Sequence, residues 1–190
     1  LSASASGGED HFWEAGLRYA GTLAGFKLAF GAGYTEMSSE GTSAVVPTLT
    51  AKDSNFFQAG GYAEHIATGV FLHGAYGRED NNGTVLANGF VEPDSEHYYV
   101  KAGIRRPWLP LGATIVYGDY AAYLDQLAPA ARAAGATSST FERFGGGIAQ
   151  EIDAAAMTLY VKYQHYQADV GGLSDFEDAD SVSFGGLINF

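Results

Sequence analysis

Two histidines, His73 and His165, and a scatter of serines are the side chains that could serve nucleophilic or acid–base catalysis. That chemistry needs a nucleophile, a base within hydrogen-bond reach, and a group that orients the base. No spacing in this chain assembles all three, so no enzymatic activity is expected. The acidic run Asp175, Glu177, Asp178 and Asp180 offers oxygen ligands of the kind Ca²⁺ or Mg²⁺ takes. It lacks the spacing and the glycine of a helix–loop–helix calcium site, and a solvated acidic loop accounts for it. Gly145-Gly146-Gly147 is followed by no Lys-Ser/Thr pair and lies inside a strand-like stretch, so it is not a phosphate loop. Glycine in such a place makes room for a neighbour's aromatic ring or for a bend. No cofactor is expected.

A different set of polar groups carries more information. Ionic and amide side chains recur at alternate positions within otherwise apolar stretches: Glu14 and Arg18, Lys27, Gln58 and Glu64, His73, Lys101 and Arg105. The same holds for Asp119, for Arg143 and Glu151, and for Lys162 and Gln164. Around Asp119, Ile115/Tyr117 and Val116/Tyr120 offer competing apolar faces, and its charge assigns it to the polar one. Such spacing builds no catalytic centre. It builds a wetted surface with an oily back. Six of the ten basic residues (Arg18, Lys27, Lys101, Arg105, Arg143, Lys162) fall on that surface, while most acids fall in the polar connections. The wall is therefore expected to be locally basic although the chain as a whole carries −12.

Strands must position these groups, because side chains separated by two residues share a face only in extended backbone. The stretch 180–190 shows it plainly: Val182, Phe184, Gly186, Ile188 and Phe190 alternate with Ser181, Ser183, Gly185, Leu187 and Asn189. The same alternation predicts strands over 11–21, 24–35, 55–65, 68–77, 96–106, 112–123, 140–152 and 157–166, nine in all. They alternate between tight connections (21–25, 66–69, 107–110 and 153–156) and long polar ones (36–53, 78–95, 124–138 and 169–180). The Ala-rich connection 124–138 could hold a short helix. All five prolines are expected in turns or loops, since a proline inside a strand deletes a ladder donor.

Composition bounds the class. No stretch approaches the ~18 consecutive apolar residues of a membrane-crossing helix, yet alternating barrel strands carry only a weak hydropathy signal. The 26 glycines and 12 tyrosines fit a strand-rich wall. The absence of cysteine excludes a disulfide framework and thiolate metal sites. The acidity argues against a nucleic-acid partner. Placing every short turn at one end and every long loop at the other is the habit of an outer-membrane barrel. Nine is odd, whereas single-chain bacterial barrels have even strand numbers. Residues 1–9 therefore read as the tail of a long loop, with an odd number of strands before it.

Four stretches carry a family likeness: Trp-Glu-Ala-Gly-Leu-Arg-Tyr-Ala-Gly at 13–21, Ala-Thr-Gly-Val-Phe-Leu-His-Gly-Ala-Tyr-Gly at 67–77, Gln-Glu-Ile-Asp-Ala-Ala-Ala-Met-Thr-Leu-Tyr at 150–160, and the closing Phe-Gly-Gly-Leu-Ile-Asn-Phe. In this order they resemble the C-terminal half of a Gram-negative outer-membrane porin of the alphaproteobacterial type, over nearly all of 1–190. The resemblance implies an all-β, transmembrane, antiparallel up-and-down barrel, with this chain the C-terminal part of 16 or 18 strands. It implies a homotrimer in the bacterial outer membrane, C-terminus on the periplasmic side, in contact with lipid and lipopolysaccharide. Small hydrophilic solutes and ions would diffuse passively through it. Glu14, Arg18, Lys27, Gln58, Glu64, His73, Lys101, Arg105, Asp119, Arg143, Glu151, Lys162 and Gln164 would line the pore. His165 would face outward, and Trp13, Tyr19, Tyr34, Tyr98, Trp108, Tyr120 and Tyr163 would form interface belts. Two rival expectations follow from the same residues. One is a plugged or structural outer-membrane barrel, an anchor or translocator without general pore activity. The other is a soluble binding barrel, which would turn its apolar residues inward.

Overall fold

Alternation of apolar and polar residues makes extended backbone the conformation that separates the two kinds of side chain. A computed structural model describes residues 11–39, 52–82, 91–127, 131–132, 134–173 and 176–188. The described residues form nine strands: β1 (His11–Leu23), β2 (Phe26–Ser39), β3 (Lys52–His65), β4 (Val70–Asp80), β5 (Ser95–Leu109), β6 (Gly112–Leu124), β7 (Ser138–Ile152), β8 (Met157–Gly171) and β9 (Ala179–Ile188). They form one antiparallel sheet in chain order, each strand paired with its predecessor. The short connections lie at one end of the sheet and the long ones at the other. Among the described residues no ladder joins β1 to β9, so the sheet is open and these two strands are its edges. Both run from the long-loop end to the short-turn end. Residues 1–9, Asn189 and Phe190 lie outside the described residues.

The strands run further than their alternation suggests. The first hairpin closes on two residues, with Leu23 opposite Phe26. Ala24 (φ +49°) and Gly25 (φ +83°) both take the left-handed conformation. That turn matches the twist of the strands it joins. A brief 3₁₀ turn, Asp153–Ala155, closes the last hairpin and ends on left-handed Ala156. In the connection between β6 and β7, Ala131 and Arg132 are helical. Pro107 corrects the expectation that proline stays outside strands, because it lies within β5. The register between β5 and β6 shifts between Arg106 and Leu109. A bulge asks no ladder donor of the proline, which is why it is tolerated. Pro47 and Pro129 lie outside the described residues.

The sheet has two unlike faces. Directly opposed residues in an antiparallel ladder share a side, and the eight registers carry that parity from β1 to β9. One side bears Leu17, Phe30, Leu72, Val100, Ile148, Val161 and Phe184; the other bears Arg18, Lys27, His73, Lys101, Arg143 and Lys162. Among the described residues three contacts reach across an intervening strand, and all three lie on the polar side: Arg105 with Glu151, Arg143 with the Tyr99 ring, and Phe56 with His97. The sheet therefore curves toward its polar side, which is concave.

Among the described residues there is no oily core between layers: Phe71 is the one large apolar side chain that is buried, and the other buried apolar residues are alanines. Leu17 is 61% exposed, Leu23 63% and Phe184 84%. A soluble barrel with its apolar residues inside is the opposite arrangement.

Ala24 is the strained position of the first turn. A non-glycine residue there costs about 1–2 kcal/mol, and asparagine is the favoured partner of glycine in this turn. Ala24→Asn should stabilise the protein by about 0.5–1 kcal/mol, read as a higher urea midpoint at unchanged slope. Ala24→Val should lower it.

Candidate functional site

The concave face gathers all thirteen polar residues that alternation selects. Glu14 and Arg18 stand on β1, Lys27 on β2, Gln58 and Glu64 on β3, and His73 on β4. Lys101 and Arg105 follow on β5, Asp119 on β6, Arg143 and Glu151 on β7, and Lys162 and Gln164 on β8. Asp119 shares its side with Lys101, its direct partner on β5, so its charge reads the face correctly.

Sequence does not show how these groups neutralise each other. Lys27 Nζ lies 3.5 Å from Glu64, whose other neighbour is the Tyr62 hydroxyl, donating at 2.9 Å. Arg105 grips Glu151 with two nitrogens, its Nε donating at 3.2 Å. Arg143 donates to Asp119 at 3.0 Å, and its guanidinium lies 5.9 Å from the Tyr99 ring centre. Half of the six bases are thus tied to acids. Among the described residues Arg18, Lys101 and Lys162 form no ion pair. Lys101 instead rests its ammonium 3.7 Å over the Tyr117 ring. The expected basic wall is reduced to these three cations with Glu14 as the unpaired acid.

The glycine run in β7 makes this arrangement possible. A Cβ at Gly145 would meet Asp119 Oδ1 at 2.7 Å, and one at Gly147 would meet the Tyr117 hydroxyl at 2.8 Å. The missing side chains leave space for the carboxylate that holds Arg143 and for the ring that supports Lys101. His73 sits on the same face, edge-on to Tyr99 with centroids 5.3 Å apart. His165 stands on the opposite face, so the two histidines cannot share a site. Tyr62, Tyr99, Tyr117 and His97 were not among the selected residues, since rings at polar positions break a simple apolar–polar alternation. The signal that finds them is position alone: each shares parity with a charged neighbour on its own strand.

The convex face is organised by height. Near the long-loop end, Trp13, Tyr34, Phe57, Tyr76, Tyr98, Tyr120, Phe144 and Tyr163 form an aromatic row, one ring per strand from β1 to β8. Neighbours touch: Trp13 and Tyr34 have centroids 5.2 Å apart, Tyr76 and Tyr98 5.3 Å, Tyr120 and Phe144 5.2 Å. Beyond it runs a polar row including Asn55, Glu96, Glu142 and Asp180. Four tyrosines donate their hydroxyls outward into that row: Tyr34 to Asn55 at 2.8 Å, Tyr120 to Glu142 at 2.6 Å, Tyr163 to Asp180 at 2.5 Å, and Tyr98 to Glu96. Toward the turns the band ends at Arg106, Thr114 and Gln150, with Tyr19 stacked on Phe30 and Trp108 exposed nearby.

The acidic run lies past the aromatic row, outside this band. Asp180 takes the Nδ1 side of His165 at 2.9 Å and Asp178 faces Nε2 at 3.5 Å. Gln167 donates to Asp178 at 3.1 Å. These carboxylates clamp a histidine, Glu177 is exposed beside them, and Asp175 lies outside the described residues.

No protein family matches the chain, and no curated protein matches its sequence.

Gly145→Ala should push Asp119 off Arg143, because the new methyl is also limited by the Tyr163 carbonyl at 3.1 Å. The expected loss is about 1–3 kcal/mol of unfolding stability. Gly25→Asn, at an open left-handed turn, should cost far less.

Proposed function

We propose that the chain is part of the wall of a bacterial outer-membrane porin, a barrel whose concave face lines a water-filled path for small hydrophilic solutes and ions. The observation that carries this reading is the convex face: a continuous exposed apolar band, edged by rings whose hydroxyls reach out of the band into a polar row. Water penalises such a surface, and monomeric soluble proteins rarely expose apolar patches beyond a few hundred Å². A bilayer rewards it, with tyrosine and tryptophan at headgroup level, apolar body inward and polar tip outward. Hydrocarbon also requires every backbone N–H and C=O to be paired, which the eight ladders support along the strands apart from the two edges and the bulge at the turn end of β5. Because β1 and β9 run in the same direction, antiparallel closure takes an odd number of further strands, as in a barrel of 16 or 18. Assembly as a homotrimer with its acidic loops toward lipopolysaccharide completes the reading.

The path supports weak anion preference. Three cations without acid partners, Arg18, Lys101 and Lys162, stand against Glu14, in a low-dielectric wall that focuses their field.

The test is conductance in planar bilayers with reversal potentials in a salt gradient. The purified protein should need detergent, insert, and conduct in discrete steps. Lys162→Glu should move the reversal potential toward cation selectivity, and Arg105→Glu, an equal change of two charges that also strips Glu151 of its partner, should move it in the same direction. An insertion that carries no current would favour a plugged anchor; a detergent-independent soluble protein would overturn the reading.

A further inference from the structure

Large rings also occur on the concave face, where alternation leads one to expect polar groups. Near its long-loop end Phe56 on β3, His97 on β5, Tyr123 on β6, Phe141 on β7 and Tyr166 on β8 follow one another round the curve. Successive centroids are 6.1, 6.2, 6.0 and 5.9 Å apart. The first three are nearly parallel, with interplanar angles of 22° and 23°. β4 interrupts the series with Gly77, directly opposite His97. A Cβ at Gly77 would lie 2.0 Å from His97 Cε1. The missing side chain therefore lets the imidazole lie across β4 and reach Phe56, which makes the arc continuous.

A cavity of about 680 Å³ opens over this shelf. Phe56, His97 and Tyr123 border it together with the carboxyl-bearing Glu79, Glu92 and Asp125; none of its described lining residues is lysine or arginine, and the buried Arg132 donates to the Asp125 carbonyl at 2.9 Å. Asp125 is held in place by the Ser139 N–H at 3.0 Å. Ring faces attract cations through their quadrupole, and desolvation at a concave site strengthens that attraction. Carboxylates at the same cavity select the same charge, and the acidic loops around it raise the local cation concentration.

We propose that this cavity binds organic cations, quaternary or alkylated ammonium groups above all, at the long-loop mouth of the pore. The inference rests on the porin reading for its place in the path, though not for binding itself. A cation held there sits above a deeper wall that carries the unpaired Arg18, Lys101 and Lys162, so it blocks rather than passes.

Tetraethylammonium is the probe, used in two ways. In bilayers it should block the conductance from the long-loop side only. Phe56→Ala combined with Tyr123→Ala should weaken that block roughly five- to tenfold, the scale of a lost cation–π contact. Gly77→Ala, which displaces the His97 ring, should weaken it in the same direction, and Glu79→Gln with Asp125→Asn should weaken it further. Phe57→Ala, on the same strand but the opposite face, should leave the affinity unchanged. Maltose at equal concentration should not block. In detergent micelles, tyrosine fluorescence should titrate with tetraethylammonium in the parent protein and not in the double ring variant. A protein that fails to conduct but still titrates would sink the porin reading alone. A protein that conducts and shows neither block nor titration, or one that maltose blocks as well with no effect of the acid variants, would overturn the cation site.

Discussion

An antiparallel ladder puts directly opposed residues on the same side of a sheet, and eight such ladders in succession leave nine strands no freedom to choose their faces separately. A slip of one residue anywhere would send every downstream charge to the oily side. The parity set by Leu17 and Arg18 on β1 is still in force at Phe184 and Ser183 on β9. All else follows from that constraint. Between the aromatic row and the turns the convex side can be apolar only because the concave side takes the charges that fall at that height, and the curvature brings Arg105 and Glu151 close enough to pair.

The pairing tempers the electrostatics. Read as a list, six bases on one wall suggest a strong positive field. In the fold Lys27, Arg105 and Arg143 each meet a carboxylate, and the field is left to Arg18, Lys101 and Lys162. Glycine placement does the spatial work: Gly145 admits Asp119, Gly147 admits Tyr117, and Gly77 admits His97. A wall crowded with rings and long cations needs backbone without side chains at fixed points, and these mid-strand glycines supply it at some cost in strand propensity.

The faces were legible because period two survives any tertiary arrangement. His73 and His165, both odd-numbered, nevertheless land on opposite sides, because the register parity reverses between β4 and β8 through intervening connections of differing length. Strand ends were less legible. The first hairpin tightens to two residues because Ala24 accepts a left-handed conformation that composition does not announce. Pro107 enters β5 because a bulge excuses its missing donor. The cross-strand pairs Arg105–Glu151 and Phe56–His97 depend on curvature, a property of the assembled sheet rather than of any segment. The inner aromatic arc was hidden for the same reason, since Phe56, Tyr123 and Phe141 read locally as exceptions to the polar parity.

The proposed porin wall requires its two faces to meet different solvents, hydrocarbon outside and water inside. The chain has no native cysteine, so single substitutions give unique labels. Leu17→Cys, Val100→Cys and Phe184→Cys on the convex face, and Arg18→Cys, Lys101→Cys and Ser183→Cys beside them, can each carry an environment-sensitive fluorophore in liposomes. Brominated lipid should quench the first three and aqueous iodide the second three. Equal iodide quenching of both sets, or quenching of the second set by brominated lipid, would contradict the account.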